Sequence, residues 1–185
     1  MRHDIDRHEH GVAHLQIAVA GNDLQVRFKS PQDSLVGFET APRTEKQRQA
    51  VRRMAGQLHR PQWLFIPTAE AECSPAGVTL AAGSINPALL ASGADAHGHA
   101  GSAEQAREKE PAQSDATSAR KATGKGHADV TAAISFLCRK PQSLTGMQVR
   151  LFDAFQQIRQ IDVEIVTTKG ESGARLTPNR TGLTW

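Results

Sequence analysis

From Ala91 to Asp129 the chain contains no Val, Ile, Leu, Met, Phe or Trp. It holds only small residues, histidine, proline, glutamine and charges such as Glu104, Arg107, Glu108, Lys109 and Glu110. A stretch of that make-up has little to bury, so the backbone entropy lost on ordering, roughly 1 to 2 kcal/mol per residue, goes unopposed. Residues 91–127 are therefore expected to be a low-complexity, disordered insertion, which leaves the folding residues in two blocks, 1–90 and 128–185. Each block is too sparse in large apolar side chains to build a core alone. Both are expected to contribute to one domain, with the insertion as a long loop that leaves and re-enters it.

Within the blocks the dominant signal is alternation. Leu15, Ile17 and Val19 point one way while His14, Gln16 and Ala18 point the other, and after the turn residues Gly21-Asn22-Asp23 the pattern resumes with Leu24, Val26 and Phe28. This predicts a hairpin with one buried face. A helix is expected from Thr44, whose hydroxyl caps it with Gln47 as the capping-box partner, and Val51, Met54 and Leu58 form its buried stripe. Pro61 stops it, and Trp63, Leu64, Phe65 and Ile66 are expected to return an apolar anchor to the core. Further strands are expected at Val78 to Ala82, Val130 to Cys138, Met147 to Leu151 and Ile161 to Ile165, with a helical turn over Asp153 to Ile158. The tail from Ala174, interrupted by Pro178, reads as edge strand or coil. The predicted class is α+β: one mainly antiparallel β-sheet domain with one substantial helix and the long insertion.

Several function classes drop out. With 22 Lys+Arg against 19 Asp+Glu, 4% aromatic residues and no Tyr, the chain has neither the charge nor the stacking surface of a nucleic-acid binder. No apolar run approaches the roughly 20 residues of a membrane span, and Met1-Arg2-His3-Asp4-Ile5-Asp6-Arg7 is followed by no signal-peptide stretch. If that start is genuine, the expected location is cytoplasmic. Gly124-Lys125-Gly126 is not a phosphate loop, Gly170-Glu171-Ser172-Gly173 is not a nucleophile elbow, and no His-Glu-x-x-His occurs. No enzyme is predicted; a carboxylate pair such as Glu39 with Asp162 in a common pocket would reopen that question.

The histidines are unevenly placed. His8, His10 and His14 cluster near the start, and His97 and His99 form a second His-x-His pair inside the insertion. In an extended segment, residues two apart share a face with Cα atoms roughly 6.5 to 7 Å apart. Two imidazoles can converge from there on one zinc ion, and on one continuous strand His8, His10 and His14 share a face. The competing reading is solvated histidines on a polar terminus. His59, beside Arg60 and Pro61, is expected to serve the end of its helix, and His127 stands at the return end of the insertion. Cys73 and Cys138, the only cysteines, form a disulfide in an oxidising compartment, or remain thiols in a reducing one with Cys138 in the core. Arg43, Lys46, Arg48, Arg52, Arg53 and Arg60 make the helix region basic, which suits either an anionic partner or a solvated face.

Taken in order, His8-Glu9-His10-Gly11-Val12-Ala13, Leu35-Val36-Gly37-Phe38-Glu39 and Ala41-Pro42-Arg43-Thr44 resemble the opening of the ZrgA family of proteobacterial zinc-regulated proteins. Cys73 and Cys138 around a low-complexity insertion, Leu151-Phe152-Asp153-Ala154-Phe155, Ile161-Asp162-Val163 and Ala174-Arg175-Leu176-Thr177-Pro178 are similar to its later half. The resemblance implies a periplasmic, non-enzymatic zinc-binding protein working beside a zinc transport system. It implies His8 and His10, which match its opening motif, as ligands, with His14 just after it a further candidate; the residues themselves add His97 and His99 as a loop-borne pair and Asp95 or Glu9 to supply an oxygen ligand or orient an imidazole. Family members carry an export signal and histidine-rich insertions, and this chain departs from both patterns. The rival expectation is an envelope interaction module that docks through Arg48, Arg52 and Arg53.

Overall fold

The computed structural model describes residues 10–91 and 128–185. Strands β1 (Val12–Ala20) and β2 (Asp23–Pro31) form the predicted hairpin, with Leu15 opposite Phe28, Ile17 opposite Val26 and Val19 opposite Leu24. On the far side of β2 lies β5 (Asp129–Cys138), which sets Ile134 against Val26 and Phe136 against Leu24, so three strands present one apolar face. Leu15, Ile17, Leu24, Val26, Phe28, Ile134 and Phe136 are all buried. Burying each such side chain stabilises the fold by roughly 1.5 to 3 kcal/mol relative to leaving it exposed.

The full sheet has six strands in the order β4-β5-β2-β1-β7-β8, with β4 at Cys73–Ala82, β7 at Gln160–Thr167 and β8 at Gly170–Leu176. Strands from both sides of residues 92–127 interleave, since β5 sits between β4 and β2. Every pairing is antiparallel except β1 with β7, which run parallel, so the sheet is mainly antiparallel as expected. A parallel pair needs a long crossover, and most of the chain lies between these two strands.

Helices α1 (Asp33–Val36) and α2 (Glu45–Leu58) follow the hairpin. The α2 capping box forms as expected: Gln47 N–H donates to Thr44 Oγ1 at 3.2 Å, and Thr44 N–H donates to Gln47 Oε1 at 3.1 Å. Val51, Met54, Ala55 and Leu58 are its buried residues. A short helix α3 (Pro61–Leu64) then corrects one expectation. Because residues 61–64 follow a helical period rather than a strand period, Pro61 and Leu64 turn inward while Trp63 turns out, 65% exposed. Ile66, in β3 (Phe65–Pro67), is also exposed. A second, three-stranded sheet joins β3, β6 (Gly146–Val149) and β9 (Gly182–Thr184). Leu151, expected to end a strand, instead begins helix α4 (Leu151–Ala154), because the Phe155 N–H returns to the Leu151 carbonyl.

The cysteine alternatives resolve in favour of pairing. Cys73 and Cys138 lie opposite each other on β4 and β5 and form a disulfide that closes a loop with a sequence separation of 65. Most of β4 is exposed, and its register with β5 shifts between Pro75 and Gly77, so this edge strand has little burial of its own. The disulfide ties its first residue to the core strand β5. No helix among the described residues is long and apolar enough to cross a membrane.

Candidate metal centre

Where β1 begins, Gly11 adopts φ +83°, a left-handed conformation that side chains disfavour. Its N–H donates to Ser34 Oγ at 3.1 Å and its carbonyl accepts from the N–H groups of Arg159, at 2.7 Å, and Gln160, at 3.1 Å. A Cβ at this position would stand 3.0 Å from the Gln157 carbonyl oxygen. Glycine therefore lets the chain turn just before the strand, and His10 leaves the line of β1 and lies beside the start of α1.

Asp33 is the first residue of α1, and Gly37, at φ +82°, ends that helix by donating its N–H to the Asp33 carbonyl at 2.7 Å. The chain then doubles back and carries Glu39 to the same place. Gln32 holds this return. Fully buried, it donates through Nε2 to the carbonyls of Phe38 at 3.1 Å and Thr40 at 3.0 Å, the two residues that flank Glu39. Its own side-chain oxygen accepts from Ser84 Oγ at 2.6 Å. Replacing Gln32 with leucine keeps the volume and strips these bonds, leaving buried polar groups unpaired. Denaturant unfolding should then show a loss of about 2 to 3 kcal/mol, together with weaker metal binding than in the parent protein.

His10, Asp33 and Glu39 each offer one donor atom, and these atoms lie within 4.8 Å of one another. His10 Nδ1 makes a short hydrogen bond to Asp33 Oδ2 and stands 3.9 Å from Glu39 Oε1. His10 is exposed, while Asp33 and Glu39 are partly covered. The hydrogen bond to Asp33 and its negative charge, with a smaller effect from Glu39, hold the His10 imidazole above its ordinary pKa of 6.5. One imidazole nitrogen and two carboxylate oxygens form a donor set that zinc accepts, and donors around a tetrahedral zinc lie about 3.3 Å apart, so closing the widest separation by at most about 1.5 Å, with the His10–Asp33 pair opening slightly, would bring them into range.

Of the residues predicted from sequence, His10 is in this group. His14 is not: it lies on β1, opposite Lys29 on β2 and Asp162 on β7. The turn at Gly11 is the physical reason that His10 and His14 do not follow one strand. His8, Glu9, Asp95, His97, His99 and His127 lie outside the described residues. His59, the C-cap residue of α2, donates through Nε2 to the Leu90 carbonyl at 2.8 Å, so its imidazole has a structural partner, but one in a later segment rather than at the end of its own helix as expected. Asp162 binds Arg175 at 2.9 Å. Sequence reasoning misses Asp33 and Glu39 as donors. The available signal is that two glycines, Gly11 and Gly37, bracket turns that can bring His10, Asp33 and Glu39 together.

A search of curated proteins finds none that matches the chain. The sequence profile of the ZrgA family, described as zinc uptake proteins, matches residues 7–185, a span that includes His10, Asp33, Glu39 and both cysteines. The chain belongs to the ZrgA family of zinc uptake proteins.

Proposed function

We propose that this protein binds zinc ions as cargo, contributing to zinc acquisition or buffering beside a zinc transport system, and that it performs no catalysis. The observation that carries this reading is the convergence of His10, Asp33 and Glu39 from three separate segments. Two carboxylates supply charge for a divalent cation, and the imidazole supplies the nitrogen that favours zinc over magnesium or calcium. His8 is the proposed fourth donor, with His14, His97 and His99 as additional ligands that raise capacity. The proposed compartment is the periplasm, which the Cys73–Cys138 disulfide supports, since such bonds persist in oxidising surroundings.

The test is an isothermal titration of metal-stripped protein with zinc across a pH series. Stoichiometric binding is expected at pH 7.5. Zinc takes the deprotonated Nδ1, whose proton Asp33 and Glu39 stabilise, so the same carboxylates that attract the metal also favour its competitor. Because the His10 pKa is raised, proton competition begins above pH 6.5, earlier than for an unperturbed histidine. Below that value affinity should fall by roughly tenfold per pH unit for one displaced proton. Equal affinity at pH 5 and pH 7.5 would remove His10 from the site.

A further inference from the structure

Between the C-terminal half of α2, α3 and α4 lies an open cavity of about 630 Å³, lined among others by Arg53, Arg60, Trp63, Leu64, Arg150 and Asp153. Its charges are unbalanced. Arg150 is paired with Asp153 at 3.0 Å, but the guanidinium groups of Arg53 and Arg60 have no ion-pair partner among the described residues. Arg48 and Arg52, equally prominent in the sequence of the same helix, are by contrast both engaged by Glu45, at 2.8 Å and 3.0 Å. The cavity therefore carries two guanidinium groups beyond the one paired with its carboxylate, beside an indole that is 65% exposed.

We infer that this cavity is a docking surface for an acidic segment of a partner protein, with carboxylates on Arg53 and Arg60 and an apolar side chain over Trp63. Guanidinium groups present planar, paired donors that match carboxylates, and tryptophan and arginine are among the residue types enriched where protein interfaces concentrate their binding energy. A small ligand site normally buries about 70 to 90% of its ligand. An indole this exposed, at an open mouth, cannot provide that enclosure, whereas a protein segment brings its own cover. The surface is independent of the metal centre, and its test needs no zinc.

The experiment uses the full chain carrying Trp185→Phe, so that Trp63 is the remaining indole of the two in the sequence. The probe is a blocked octapeptide of alternating glutamate and leucine, with an alternating glutamine and leucine peptide as the neutral control. A saturable blue shift of the Trp63 emission is expected, at least about tenfold tighter for the glutamate peptide and weakening as salt is raised. Arg53→Gln with Arg60→Gln should weaken binding at least about tenfold, while the charge-matched pair Arg48→Gln with Arg52→Gln should leave it within about twofold. The inference is overturned by the absence of a saturable shift, by equal losses in the two double variants, or by free glutamate binding as tightly as the peptide.

Discussion

Zinc affinity at pH 7.5 falls by about 100-fold or more in His10→Ala, and by about 10-fold or more in Asp33→Asn and Glu39→Gln, whereas His14→Ala stays within about twofold. The ranking follows from the geometry. His10 is the only nitrogen donor of the described group and faces both carboxylates, so its loss removes the metal's preferred ligand and leaves two oxygens that any divalent cation can use. His14 lies on the outer face of β1, away from the group, although the sequence places it in the same histidine cluster. Because His10 is exposed and its pairing with Asp33 is at the surface, its replacement should leave the unfolding midpoint nearly unchanged. Loss of binding without loss of stability therefore reports on ligation. His14→Ala matching His10→Ala would instead locate the ion on the strand face that alternation alone suggests. His8→Ala then measures whether the position two residues upstream supplies another ligand.

Removing the disulfide should cost about 4 kcal/mol, the chain-entropy value for a closed loop with a separation of 65 residues. The suitable variant is Cys73→Ala with Cys138→Ala, because Cys138 is buried and a serine there would leave a hydroxyl in the core. A loss of that size lowers the unfolding temperature by roughly 10 °C. The effect should concentrate on β4, whose burial is too slight to hold it against β5 once the tether is gone, so its amide protons should exchange well before those of β1 and β2. Protein isolated from its native host without reductant should contain no free thiol. Two reactive thiols there would remove the disulfide and with it the structural support for an oxidising compartment.

The hairpin of β1 and β2, the buried face of β5 and the capped helix α2 are legible in the sequence because each depends on interactions within a few residues. Alternation specifies which side chains face inward, and Thr44 with Gln47 marks the start of a helix whatever surrounds it. Trp63 escapes that logic. Its apolar neighbours suggest a buried strand, but Pro61 begins a helical turn and reverses the side on which the indole emerges. The parallel pairing of β1 with β7 is likewise invisible locally, since it depends on which edge of the hairpin is open when the end of the chain returns.

The same division applies to the metal centre. That histidine near residue 10 is a metal-binding candidate follows from composition and spacing, which are properties of the chain alone. Its partners follow from a left-handed glycine, a one-turn helix and a buried glutamine amide, which together bring donor atoms of residues 10, 33 and 39 within 4.8 Å of one another. Local pattern can name a residue able to bind a metal, because ligand chemistry resides in one side chain. Only the packed fold can name the set, because convergence is a relation between segments that only the folded backbone brings together.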